Sequence, residues 1–85
     1  MEKKDIFSGG FYVARLNGHK IFAGVIQPFD AGNFDCLFFH YEDGSNKLES
    51  ARVLPSSSFI RSVPLQEVPR PLVDALGKIV KITVT

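Results

Sequence analysis

Alternating apolar and polar positions mark strand-like runs on both sides of two glycine turns in the first half of the chain. Asn17-Gly18 separates FYVARL from HKIFAGVI, and Asp43-Gly44 follows the run CLFFHYE. Asn-Gly and Asp-Gly favour type I′ turns, because both central residues of such a turn need positive φ. The pattern therefore predicts two tight β-hairpins.

The first hairpin has a predictable register. A two-residue turn sets Leu16 opposite His19 and so determines every later pair. One face is then typical of a core, and it consists of Tyr12, Ala14, Leu16, Ile21, Ala23 and Val25. The opposite face is polar near the turn and apolar at its far end, and it consists of Phe11, Val13, Arg15, Lys20, Phe22, Gly24 and Ile26.

The second hairpin leaves two registers open. A four-residue loop, Asp43 to Asn46, pairs His40 with Glu49, whereas a two-residue loop pairs His40 with Lys47. In either register one face is predicted to hold Leu37, Phe39, Tyr41, Leu48 and Leu54. The other is predicted to hold Cys36, Phe38, His40, Ala51 and Val53.

Aperiodic stretches separate and follow the hairpins. Residues 27–35 read as a loop whose Phe29 and Phe34 are unusual for a solvated connection, so we expect one in the core and the other at a contact surface. The triple serine 56–58 reads as a loop, and residues 59–65 read as a short strand closed by Pro64. A short helix follows, with Pro71 at its first position and a left-handed cap at Gly77. The tail alternates as a half-buried strand, with Val80, Ile82 and Val84 on one side.

This order of elements resembles a small SH3-like barrel over Phe11 to Thr85. The resemblance implies a mainly β fold: a partly open barrel of about five strands, with one short helix before the C-terminal strand. The length of 85 residues predicts a single domain over residues 1–85. The chain departs from that pattern in its tight first hairpin and its extended stretch from Pro55 to Pro69. It also lacks the acidic loop and paired aromatics with which eukaryotic SH3 domains bind proline-rich ligands. In general character it is similar to small phage and mobile-element proteins, including immunity and inhibitor proteins.

Composition gives expectations about the number of domains, the cellular compartment and the class of partner. With 85 residues, 45% hydrophobic and 22% charged, the chain is typical of one small folded domain. A single cysteine, Cys36, allows no internal disulfide, so a reducing, cytoplasmic setting is expected. No apolar window is long enough to predict a signal peptide or a membrane span. The net charge of +1 comes from scattered residues, which does not favour nucleic acid as the partner.

Candidate chemistry is sparse in this sequence. Cys36 and His40 would lie roughly 13 Å apart along a strand, which is too far for one to activate the other. With His19 they are too few and too irregularly spaced to predict a zinc site. The triple serine lacks the glycine-flanked turn of a hydrolase nucleophile, and no glycine-rich stretch has the phosphate-loop pattern. We therefore predict no catalytic residue, no metal site and no cofactor.

The surplus of apolar surface points to binding. The faces assigned outward hold Phe11, Val13, Phe22 and Ile26 of the first hairpin and Phe38 of the second. If all five were exposed together, the patch would exceed what soluble monomers usually show. Three coverings stay open: residues 59–76 folded back as a lid, a second copy of the chain, or another protein. The sequence predicts a non-enzymatic protein-binding module, with alternatives in single-strand nucleic-acid binding and in a small oligomeric enzyme with a shared pore. The predicted binding residues are Phe11, Phe22 and Phe38 as anchors, Arg15 and His40 as polar rim, and Phe29 or Phe34 from the loop.

Overall fold

The chain folds around one antiparallel sheet. The computed structural model describes residues 1–40 and 48–83, and for residues 49–51 it describes the backbone alone. Five strands lie in the order β4-β3-β2-β1-β5, and the sheet does not close, which confirms a mainly β fold with a partly open barrel. The elements are β1 (Phe11–Leu16), β2 (His19–Asp30), β3 (Asn33–His40), β4 (Leu48–Pro55), β5 (Phe59–Ser62) and the helix α1 (Arg70–Gly77).

The first hairpin has the predicted register. Asn17 and Gly18 have φ values of 52° and 81°, as a type I′ turn requires. Leu16 pairs with His19, and the pairing continues without a shift to Phe11 opposite Gly24. Local turn chemistry is therefore enough to align β1 with β2.

The second hairpin follows the register of the shorter loop in its described part. Phe39 pairs with Leu48 and Phe38 with Glu49, which rules out the alternative register that pairs His40 with Glu49. The loop itself lies within residues 41–47, outside the described residues. A β-bulge then shifts the register, because Arg52 lies opposite Cys36, two positions before Phe38.

This bulge also changes which residues of β4 share a face. Leu54 pairs with Phe34 and is buried with it, whereas Val53 pairs with Asp35 on the opposite face. The predicted faces of Leu54 and Val53 are therefore wrong. A regular strand alternates strictly, and one extra residue in β4 reverses the alternation beyond it.

The predicted loop between the hairpins is instead the end of a long hairpin. The strand β2 continues to Asp30 and β3 begins at Asn33, so only Ala31 and Gly32 connect them. Gly32 has a φ of 87°, a conformation that favours glycine. Two register shifts in β2, between Val25 and Gln27 and between Pro28 and Asp30, bend this hairpin.

One apolar cluster, the inner cluster, lies on the concave side of the sheet. All five strands contribute to it, so the sheet curves around it as a partly open barrel does. Phe38 is fully buried here, so its predicted place on the outward face is wrong. The inner cluster consists of Ile6, Tyr12, Ala14, Ile21, Ala23, Val25, Phe34, Cys36, Phe38, Leu54 and Phe59.

A second apolar cluster, the outer cluster, lies on the other side of the sheet. The C-terminal part of the chain covers it, with Leu72 and Leu76 of α1 fully buried against the strands. Thus the lid that the sequence left open as one alternative is present, and it extends over residues 63–82. The buried members of the outer cluster are Phe11, Val13, Leu37, Phe39, Val63, Val68, Leu72 and Leu76.

The C-terminal segment differs from its prediction. Residues 78–83 do not form a strand, although Thr83 N–H donates to the carbonyl of Gly9 at 2.9 Å. Val80 and Ile82 are nevertheless half-buried against the outer cluster, as their alternation predicted. Pro71 lies in the first turn of α1, one position later than predicted, because the helix begins at Arg70. Gly77 is helical and the next residue is right-handed, so the predicted left-handed cap is wrong.

Candidate binding surface

The three predicted apolar anchors are not exposed together. Phe11 and Phe22 lie on the side of the outer cluster, where Phe11 is buried and Phe22 is half-buried. Phe38 lies on the inner side with no exposed surface. The expectation that Phe11 and Phe38 are surface anchors is therefore wrong, because both sides of the sheet are covered.

The covering segment packs closely against the sheet at Gly24. A Cβ added to Gly24 would lie 3.0 Å from Leu76 Cδ2 and 3.3 Å from Phe11 Cε1. The segment is also attached at both ends, because Val63 N–H donates to the Phe11 carbonyl at 2.9 Å and Thr83 N–H to that of Gly9. The outer face of β1 and β2 thus serves as a second core.

The two phenylalanines of residues 27–35 have opposite environments. Phe34 is 5% exposed in the inner cluster, and its ring meets that of Phe59 edge-on with centroids 5.8 Å apart. Phe29 is 61% exposed. The expectation that one of the pair is in the core is confirmed for Phe34, and a contact role for Phe29 stays a prediction.

Phe29 lies at the closed end of the β2–β3 hairpin, where several hydrogen bonds stabilise the backbone. We call residues 27–35 the Phe29 end. The side-chain amide of Asn33 donates to Asp30 Oδ1, and that of Gln27 donates to Asp35 Oδ2 at 3.2 Å. The chain beyond β4 also holds this end, because Ser56 N–H donates to the Gly32 carbonyl at 2.8 Å. Phe29 itself lies at a register shift, outside the regular pairs.

The Phe29 end is acidic. Asp30 is exposed and Asp35 is half-buried, and each accepts a hydrogen bond from a neutral amide. Within residues 1–40 and 48–83, neither carboxylate has an ion-pair partner. The arrangement thus combines one exposed aromatic ring with two carboxylates whose orientation is set by neighbouring amides.

The predicted polar rim lies at the other end of the sheet. Arg15 pairs with Lys20, and His40 pairs with Ile21, close to the first turn. Lys20 and Phe29 are separated by about 30 Å along β2. The structure therefore does not bring Arg15 or His40 together with Phe29.

Cys36 lies inside the inner cluster. Its thiol donates a weak hydrogen bond to the carbonyl of Phe34 at 3.5 Å. Burial, with a smaller contribution from the charge of Asp35, raises the pKa of Cys36 to about 12. At neutral pH this group is therefore a protonated thiol, which is a poor nucleophile. In the described part of the chain, no three side chains among His, Cys, Asp and Glu are grouped as metal ligands.

Some exposed apolar residues were missed by the sequence reasoning. Phe7 is 58% exposed, although it lies beside the buried Ile6. Leu48 and Val53 lie on β4, at one edge of the sheet, and are 38% and 41% exposed. The alternation alone does not distinguish these residues from core residues, and for Val53 the bulge in β4 reverses the predicted face. The remaining exposed large apolar residues described are Phe29, Ile60 and Ile79.

None of the described helices is long and apolar enough to cross a membrane. Comparison with protein-family models, with curated proteins and with solved structures finds no match for this chain.

Proposed function

We propose that the chain is a non-enzymatic binding module of the adaptor, inhibitor or immunity type, which contacts another protein through the Phe29 end. The observation that carries this proposal is the contrast between two neighbouring phenylalanines, one in the core and the other 61% exposed on a braced hairpin. Exposing a phenylalanine ring to water is unfavourable, and single large aromatics are frequent anchors of protein interfaces.

Preorganisation supports this role for the Phe29 end. The amide bonds to Asp30 and Asp35, together with the bond from Ser56 to Gly32, hold the hairpin end before any partner arrives. A contact residue on a rigid support loses less conformational entropy on binding than one on a free loop. We expect the partner to have an apolar pocket for Phe29, bordered by basic side chains that complement the two carboxylates.

A cytoplasmic location is part of the same proposal. The lone cysteine is buried and protonated, so it adds no disulfide to the fold and suits a reducing cytoplasm.

Affinity capture with matched variants tests the role of Phe29. The tagged protein, Phe29→Ser and Phe7→Ser are used to capture proteins from a lysate of the source cells. Phe7→Ser is the control, because Phe7 is an aromatic residue of similar exposure outside the Phe29 end. We expect one or more proteins to be retained by the unaltered protein and by Phe7→Ser but lost with Phe29→Ser. Equal capture by all three proteins would contradict the proposal.

Thermal unfolding accompanies the capture experiment. Because Phe29 contributes to neither apolar cluster, Phe29→Ser should change the free energy of unfolding by no more than about 0.5 kcal/mol. A large loss of stability would show that Phe29 supports the fold, and the capture result would then not bear on a contact surface.

A further inference from the structure

The strand β4 is an edge strand with two exposed apolar side chains on one face. It lies last in the order of the sheet, so one side of its backbone has no neighbouring strand among the described residues. Leu48 pairs with Phe39 and Val53 with Asp35, four residues apart on β3, so Leu48 and Val53 point to the same side of the sheet. Exposed apolar residues on a free edge are a recognised site of strand addition.

The bulge gives β4 an internal symmetry. Leu48 and Val53 are five positions apart and would lie on opposite faces of a regular strand, but the extra residue places them on the same face. Glu49 and Arg52 likewise both occupy register positions of the opposite face, beside Phe38 and Cys36. Residues at equal distances from the centre of residues 48–53 are therefore complementary: the apolar Leu48 corresponds to the apolar Val53, and the acidic Glu49 to the basic Arg52.

We infer that β4 pairs antiparallel with β4 of a second copy of this chain, around a two-fold axis between Ser50 and Ala51. In this register Leu48 lies opposite Val53 of the other copy, and Glu49 lies opposite Arg52 of the other copy. Opposite charges and apolar side chains at directly facing positions are the favourable cross-strand pairs of a sheet. The pairing also joins two curved sheets into one continuous sheet of ten strands, counted from the five of each copy.

The same bulge restricts which strands fit this edge. A bulge disrupts pairing with a regular strand, which is why bulges protect many sheet edges. A second β4 carries the same bulge at the same place, so the two irregular positions meet at the axis. The other edge strand, β5, has Arg61 without a facing acid and is closed by Pro64, so it lacks this self-complementarity.

Charge-reversal variants of Glu49 and Arg52 test both the identity of the partner and the register of the β4–β4 pairing. Molar mass is measured by light scattering over a concentration series for the unaltered protein, Glu49→Arg, Arg52→Glu and the double variant. Each single variant places like charges opposite each other twice in the dimer, so dimer formation should weaken at least tenfold. The double variant should recover it, and so should an equimolar mixture of the two single variants, because both facing pairs are then opposite in charge.

Arg61→Glu is the matched control, since it changes the same charge on the other edge strand and should leave the dimer intact. A molar mass of one chain at every concentration overturns the inference. So does a dimer that the single variants leave unchanged, or one that the mixture fails to restore. Circular dichroism of each variant shows that the sheet is retained, and the mixture is decisive because a misfolded variant could not recover by mixing.

Discussion

The rings of Phe34 and Phe59 lie edge-on with centroids 5.8 Å apart, although β3 and β5 are separated in the sheet by β2 and β1. In a flat sheet these two strands would be about 14 Å apart. The contact therefore shows how strongly the sheet curves, and it makes Phe34 one of the residues that pack across the interior of the partly open barrel.

From this contact we expect opposite results for the two loop phenylalanines. Phe34→Ala should lower the free energy of unfolding by about 3 to 5 kcal/mol, because it leaves a cavity between β3 and β5. Phe29→Ala should change it by no more than about 0.5 kcal/mol. Urea denaturation of both variants measures the difference, and equal losses would show that the hairpin end is packed differently.

The contact between Gly24 and α1 gives a second prediction. Gly24→Val should lower the free energy of unfolding by about 1 to 3 kcal/mol, because its side chain would enter space filled by Leu76, Phe11 and Leu72. Gly77→Ala is the control within α1, where the new methyl group would meet only Ile82 at 3.8 Å.

Gly77→Ala should raise the stability by up to about 1 kcal/mol, because alanine favours the helix more than glycine does. Thermal unfolding compares the two variants. If Gly24→Val were as stable as the unaltered protein, α1 could not be seated on β2 as the structure has it.

The hydroxyl of Tyr12 gives a third prediction. It accepts a hydrogen bond from Phe7 N–H at 2.8 Å and donates to the Asp5 carbonyl at 3.4 Å, so it attaches the N-terminal segment to β1. Tyr12→Phe keeps the ring contact with Phe59 but removes both bonds, and should cost about 1 to 2 kcal/mol. Urea denaturation gives the loss, and faster amide exchange at Phe7 would assign it to that bond. Unchanged exchange there would count against this attachment.

Alkaline pH gives a fourth prediction, which follows from Cys36. Its pKa is raised from 9.0 to about 12 in the folded chain by burial, so the folded state keeps a proton that the unfolded state loses. The stabilisation is fully present below pH 9 and is lost as the pH rises toward 12, at no more than roughly 1.4 kcal/mol per pH unit. Burial also raises the pKa of Tyr12 above 10.0, which adds to the loss at the upper end.

The control for this prediction is Cys36→Ala, measured by urea denaturation between pH 8 and pH 11. It should be less stable at pH 8 but should lose stability more slowly as the pH rises, because the titrating thiol is absent. Parallel curves for the two proteins would contradict the assignment to Cys36.

The sequence by itself determined the elements that depend on near neighbours. Asn17-Gly18 accepts the positive φ values of a type I′ turn, and this alone aligned β1 with β2. Pro71 marked the first turn of α1 in the same local way. The expectation that Phe29 and Phe34 would separate into one surface and one core residue also needed only their residue type.

Tertiary structure decided which apolar residues are inside. Phe38 and Leu37 are equally apolar and alternate equally well, and the pattern cannot say which of them faces the curved interior and which faces α1. The bulge in β4 places Leu54 inside and Val53 outside, and the alternation of apolar and polar residues in the sequence does not show where this bulge occurs. Burial of the outer face depends on residues about 40 to 60 positions away in the chain, whose packing over Gly24 is a long-range contact. A pattern of near neighbours contains no information on such contacts, because periodicity reports the faces of a strand but not what covers them.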